Sequence, residues 1–316
     1  MLDKAKQLGR PSVIRFANFK RHTDLTAEEV QAARDYIKSY WHNLERYNPK
    51  DQGSLIGLPN PYLVPSYAEG HEFDYNEMYY WDSYFMVQGL FDAEHKKLIM
   101  GILENMVVLF KRFHIVPNGS QLYYVSRTQP PFMTTLIFDI YNAYNPGEKW
   151  LKEMINVAKE EYETVWMGTA KPNARKVYEG LSRYYDFNYL HDLTEAESGW
   201  DYTPRFNRKA LNYLPVDLNA LLYKYEKDFA LAARIFKDDK DAAAWEKAAE
   251  HRQKTMNDLM WDEGRGLYYA YNYVKERRGT ISSLASYFPL WAGMVDDKRA
   301  KALVKSLKRF EQKGGL

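Results

Sequence analysis

Apolar residues recur at helical spacing along most of this 316-residue chain, and no other feature narrows its fold as much. Spacings of three and four residues place side chains on one stripe of a helix, whereas a half-buried strand needs strict alternation. The pattern predicts helices over residues 26–47, 97–113, 131–144, 148–166, 215–236, 241–260 and 297–312. The first opens on a capping box, Thr26 followed three residues later by Glu29. Loops rich in Gly, Pro, Asn and Tyr separate the runs at 57–76, 117–131 and 167–205. The segment 267–274 alternates tyrosines and predicts a short hairpin. No linker or low-complexity tract interrupts the chain. The expectation is an all-α protein of helix pairs wound into a toroid with a cleft at one end, although periodicity alone leaves a helical solenoid open. Chemistry is then expected on the loops between helices.

Composition excludes several functions. The 44 basic and 42 acidic residues are interspersed and leave a net charge of +2, so no nucleic-acid footprint stands out. Without cysteine there are no disulfides and no thiol chemistry. The longest apolar stretch, 98–110, is interrupted by Glu104 and Asn105 and is too short to span a bilayer. The polar start Met1, Leu2, Asp3, Lys4 lacks the apolar core of a signal peptide, and a cytoplasmic protein is expected. Seven histidines show no metal-ligand spacing, and there is no phosphate-cradling glycine loop and no serine nucleophile elbow. Neither a metal nor a cofactor is expected.

Aromatic residues make up 16% of the chain, led by 27 tyrosines, and they cluster with carboxylates in the loops. Rings with polar tips suit a wet cleft that takes neutral polyols, and they also suit a large core. In Glu197-Ser198-Gly199-Trp200-Asp201-Tyr202, apolar neighbours would raise the Asp201 carboxyl and let it hold a proton for a leaving oxygen, with Glu197 as a second charge nearby. The same residues suit a helix N-cap with packed aromatics. In the stretch from Asn76 to Tyr84, Trp81 can stack on the C–H face of a sugar while Asp82 accepts from vicinal hydroxyls; an anion in the first turn of a helix is the alternative. In the loop from Pro117 to Pro131, Asn118 and Gln129 offer donors and acceptors, and Arg127 offers a fixed fork of donors.

Taken in order, these segments resemble the trehalases of glycoside hydrolase family 37. The family's Tyr-Trp-Asp-x-Tyr core is matched by residues 80–84, its PNG segment by 117–119, its SRxQPPF segment by 126–132, its ESGWDFSSRW-like segment by 197–206, and a PVDLN segment follows at 215–219. The resemblance runs from about Pro61 to Leu316, which leaves roughly residues 1–60 as an extension to one catalytic domain. It implies an (α/α)6 barrel and inverting hydrolysis of a small α-glucoside, most simply trehalose. It gives the general-acid role to Asp201 and sugar binding to Trp81, Asp82, Asn118, Arg127, Gln129 and Gly199.

Two departures shape the expectation. Counting back from Trp81, Asp74 and Tyr75 occupy the places of an Arg-Phe pair in the family, and an Arg-Pro-Glu segment expected before the catalytic aspartate is missing. Of three sugar-binding arginines Arg127 alone is matched, with Arg183 a partial substitute, which predicts altered selectivity on the leaving-group side. Another α-glycoside, such as glucosylglycerate, is the alternative substrate. A non-catalytic carbohydrate-binding module is the alternative of another class. The chain also ends at Gly314-Gly315-Leu316, where the family continues to a further signature and its general-base glutamate. This predicts a fragment with an incomplete barrel and little hydrolysis of its own, Glu77 and Glu197 being conceivable stand-ins for the base.

Overall fold

The computed structural model describes residues 26–67, 75–313 and 315, and among these it holds ten α-helices, the seven expected runs contributing all but three short ones. The chain divides into two units, Met1–Leu44 and Glu45–Leu316. The first holds α1, Ala27–Leu44, which begins at the expected capping box. The Glu29 N–H donates to Thr26 Oγ1 at 3.1 Å and the Thr26 N–H donates to Glu29 Oε2 at 2.7 Å, so two N–H groups that a helix start leaves unpaired are satisfied reciprocally.

The second unit holds α2 (Tyr80–Val87), α3 (Lys96–Phe113), α4 (Met133–Tyr144), α5 (Glu148–Glu161), α6 (His191–Glu197), α7 (Val216–Ile235), α8 (Asp239–Met260), α9 (Phe288–Trp291) and α10 (Asp297–Ser306). Burial separates an inner helix from an outer one. Helix α7 is buried around nearly its whole circumference, while α8 buries the stripe Ala242, Ala249, Arg252, Met256 and Met260 and turns its other face outward. The two pack along much of their length, and α7 also touches α4, α5 and α9. Charged groups on so buried a helix need partners. Glu226 accepts from Arg252 Nε at 2.9 Å and from the Tyr162 hydroxyl at 2.5 Å, and Asn219 accepts the Ser182 N–H at 2.9 Å. Among the described residues no helix is long and apolar enough to cross a membrane.

Two expectations are corrected. The run 148–166 is not one α-helix: α5 passes at Tyr162 into a π-helical turn, Tyr162–Trp166, where Tyr162 is tied to Glu226 and Arg252. Residues 267–274 do not fold back on themselves. Strand β3 (Leu267–Tyr268) pairs with β2 (Trp261–Asp262), whereas β4 (Tyr271–Asn272) pairs with β1 (Tyr213–Leu214) and β5 (Arg277–Arg278). Tyr269 and Ala270, between β3 and β4, supply no residue suited to a tight hairpin turn, and all six residues from Leu267 to Asn272 are buried. The two halves therefore find partners on either side.

Candidate active site

The loops converge because their backbones are hydrogen-bonded to one another. The Ser120 N–H donates to the Met78 carbonyl and the Met78 N–H to Ser120 Oγ, each at 2.9 Å, while the Tyr80 N–H donates to the Asn118 carbonyl at 3.3 Å. These bonds set the start of α2 against the segment 118–120. One residue into α2, the Trp81 N–H donates to Gln129 Oε1 at 3.0 Å, and Gln129 also hydrogen-bonds the Asp82 carboxylate.

A second turn approaches from α6. That helix ends through Ser198 into Gly199 at φ +70°, a left-handed conformation that favours glycine. A Cβ at Gly199 would overlap the Trp81 indole, so only glycine lets the turn approach so closely. Trp200 is then clamped. Its Nε1 donates to Asp217 Oδ2 at 2.9 Å, Arg205 donates to both oxygens of Asp217 at 2.9 and 3.2 Å, and the Arg205 guanidinium lies 4.9 Å from the Trp200 ring centre. Asp201 follows on this braced turn. Tyr202 comes next and is 87% exposed.

The result is a cavity of about 710 Å³ lined by Trp81, Asp82, Asn118, Arg127, Gln129, Gly199 and Asp201, with Glu77, Tyr79 and Tyr124 in the wall. All seven site residues expected from sequence thus face one space. Burial raises the Asp82 carboxyl above its ordinary range, the nearby Asp201 charge pushes the same way, and the Gln129 hydrogen bond opposes both. Arg127 is held by Asp186, 3.4 Å from Nη1, and by the Tyr124 ring, 5.0 Å from its guanidinium carbon. Asn118 uses its Nδ2 on the carbonyls of Thr128 and Ala196, at 3.2 and 3.4 Å, so its donors are already committed to the wall.

Several expectations change. Asp201 is exposed rather than enclosed by its aromatic neighbours, and it caps no helix; Thr203 caps the 3₁₀ turn Pro204–Phe206. Glu197 does not reach the cavity. It is fully buried, accepts the Thr128 N–H at 2.9 Å and the Tyr185 N–H at 2.6 Å, and pairs with Arg175. Burial raises its carboxyl while Arg175 opposes, and its evident work is to bind the loop carrying Arg127 and Gln129 to the end of α6. Arg183 is also buried away from the cavity, donating to the carbonyls of Ala174 and Leu211 at 2.9 and 2.6 Å. It does not line the cavity. Asp74 lies outside the described residues. The bracing pairs Arg175–Glu197 and Arg205–Asp217 were missed in the sequence, since residues 12 to 22 positions apart carry no spacing signal.

Carboxylates, an indole and a guanidinium from the start of α2 and the neighbouring loops thus line one cavity of a helical scaffold. The sequence matches the family model described as Trehalase over residues 5–195 and 171–316, and the chain belongs to the trehalase family. It is 30% identical to a cytosolic neutral trehalase of Emericella nidulans, over 86% of this chain and 44% of that protein. It is equally 30% identical to a periplasmic trehalase of Escherichia coli, over 91% of this chain and 58% of that protein. The chain thus spans about half the length of the curated relatives it matches. The solved structure of a neutral trehalase from Saccharomyces cerevisiae superposes with a TM-score of 0.72 at 27% identity, covering 91% of this chain and 67% of that one. The fold is the (α/α)6 toroid of these glycoside hydrolases.

Proposed function

We propose that the protein acts on a small α-glucoside, trehalose first among them, by inverting hydrolysis with Asp201 as general acid. The observation that carries this reading is the convergence of Asp82 and Asp201 with the Trp81 indole on one cavity. The ring offers an apolar face to the C–H side of a glucosyl unit, and Asp82, Gln129 and Arg127 meet its hydroxyls. Asp201, on the lip, gives its proton to the oxygen that leaves. Inversion calls for a second carboxylate about 6.5–9.5 Å from the acid to activate water. Glu197 is not that group, because its oxygens are buried and committed. Glu77 lines the cavity, but it accepts the Tyr79 hydroxyl at 2.7 Å and the Asn76 N–H at 3.1 Å, which suits a wall residue. The base is left unassigned in this chain. A cytoplasmic place of action belongs to the same reading and rests on the cytosolic relatives.

Binding tests the reading directly. Trehalose titrated into the protein is expected to perturb tryptophan fluorescence saturably. Trp81→Ala should abolish the response, and Asp82→Asn should weaken binding at least about tenfold, the value of one charge-assisted hydrogen bond. Binding unaltered in both variants would place the sugar elsewhere.

A further inference from the structure

Beside the cavity just described lies a second one, of about 630 Å³, whose lining includes Arg205, Arg208, Arg277 and Arg278. The two spaces share Asp192, Glu195 and Tyr202 in their walls. Their relation to the chemistry follows from chain order. Asp201 protonates the departing oxygen, so the leaving group lies on the Asp201 side of the first cavity, and the next residue, Tyr202, borders the second.

The charges of this second wall do not cancel. Arg205 is neutralised by Asp217, and Arg208 sits 3.5 Å from Asp192 in an exposed pair. Burial raises the Glu195 carboxyl and the neighbouring Asp192 charge adds to this, while the Thr203 backbone, Arg208 and Arg205 oppose it. Arg277 and Arg278 are exposed on β5 and, among the described residues, have no carboxylate within ion-pair distance; Arg278 donates to the Trp261 carbonyl. With Arg278 engaged by that carbonyl, Arg277 and the loosely paired Arg208 are the groups left to meet an anion, and a planar fork of donors suits phosphate or carboxylate oxygens.

We propose that this second cavity binds an anionic group, a phosphate or a carboxylate, next to the leaving-group side of the glucoside site. The anion reaches it either tethered to the leaving group of the substrate, which rests on the glucoside reading above, or as a free ion, which does not.

Calorimetric titration at low ionic strength separates these sources. Trehalose, trehalose 6-phosphate and inorganic phosphate are titrated into the full chain and into an Arg208→Gln/Arg277→Gln variant, whose substituted residues are exposed and lie outside the first cavity. With a tethered anion, trehalose 6-phosphate binds at least about tenfold more tightly than trehalose. The gain disappears in the variant while trehalose affinity stays the same. With a free anion, inorganic phosphate binds to the unaltered protein and not to the variant, and the phosphorylated sugar gains nothing. Phosphate binding of this kind without any sugar binding would uphold the anion site and remove the glucoside reading. Absence of phosphate binding together with equal affinity for charged and neutral sugar overturns the proposal, and so does a gain that survives in the variant.

Discussion

Gly199 carries two constraints in one residue. Its φ of +70° disfavours a side chain, and the space a Cβ would need is filled by the Trp81 indole. Gly199→Ala is therefore expected to cost about 1–3 kcal/mol in denaturant unfolding and to weaken trehalose binding, because the ring must move to relieve the overlap. Unchanged stability together with unchanged affinity would mean that the turn does not depend on this approach. Asp201 illustrates the opposite case, a residue whose surroundings the sequence misrepresents. Trp200 and Tyr202 beside it suggest a dry pocket, yet the Trp200 side chain turns to Asp217 while Tyr202 turns to solvent, and Asp201 stays exposed. Adjacency in the chain says little about which way neighbouring side chains point in an irregular turn.

At the scale of elements, the junction of α2, α5 and α7 is built on a buried acid. Glu161 accepts the Tyr80 hydroxyl at 3.0 Å and the Tyr225 hydroxyl at 3.0 Å, and burial pushes its carboxyl up to about 7 from an ordinary 4.5. A raised carboxyl means that the folded state holds a proton the unfolded state has released. Its contribution to stability is whole below about pH 4.5 and is lost as pH rises through 7. Glu161→Gln, which stays neutral, should therefore gain on the parent protein between pH 5 and pH 8, by up to about 3 kcal/mol at 1.36 kcal/mol per pKa unit. Urea unfolding of both proteins at the two pH values checks this, and a difference that does not change with pH would contradict it. The same junction shows what periodicity could and could not reveal. Helices α3, α7 and α8 announce themselves by long stripes of apolar residues. Helix α2, eight residues of mostly aromatic and apolar side chains, and the seven-residue α6 are too short for a stripe, and tertiary contacts hold them.

Across the whole molecule, the segments around Trp81, Asn118, Arg127 and Asp201 were legible because each is a compact local motif, and the fold brings them to one cavity. The arrangement that joins them was not legible. It depends on long-range pairs such as Glu197 with the Thr128 N–H and Asn118 with the Ala196 carbonyl, 69 and 78 residues apart, and these follow from the winding of the helices. The arginines of the second cavity were hidden for the same reason, since Arg208 and Arg277 come from segments far apart in the chain. The proposed hydrolysis stands on one chemical step, the transfer of a proton from Asp201 to the leaving oxygen. Leaving-group dependence tests it most directly. The glucose that leaves trehalose departs as an alkoxide unless its oxygen is protonated, whereas fluoride leaves α-glucosyl fluoride without such help. In the active enzyme, Asp201→Asn is expected to lower kcat on trehalose by about 10²–10⁴-fold, the range for loss of a general acid, and to spare α-glucosyl fluoride much of that loss. Equal losses on both substrates, or near-normal turnover of trehalose, would contradict the claim.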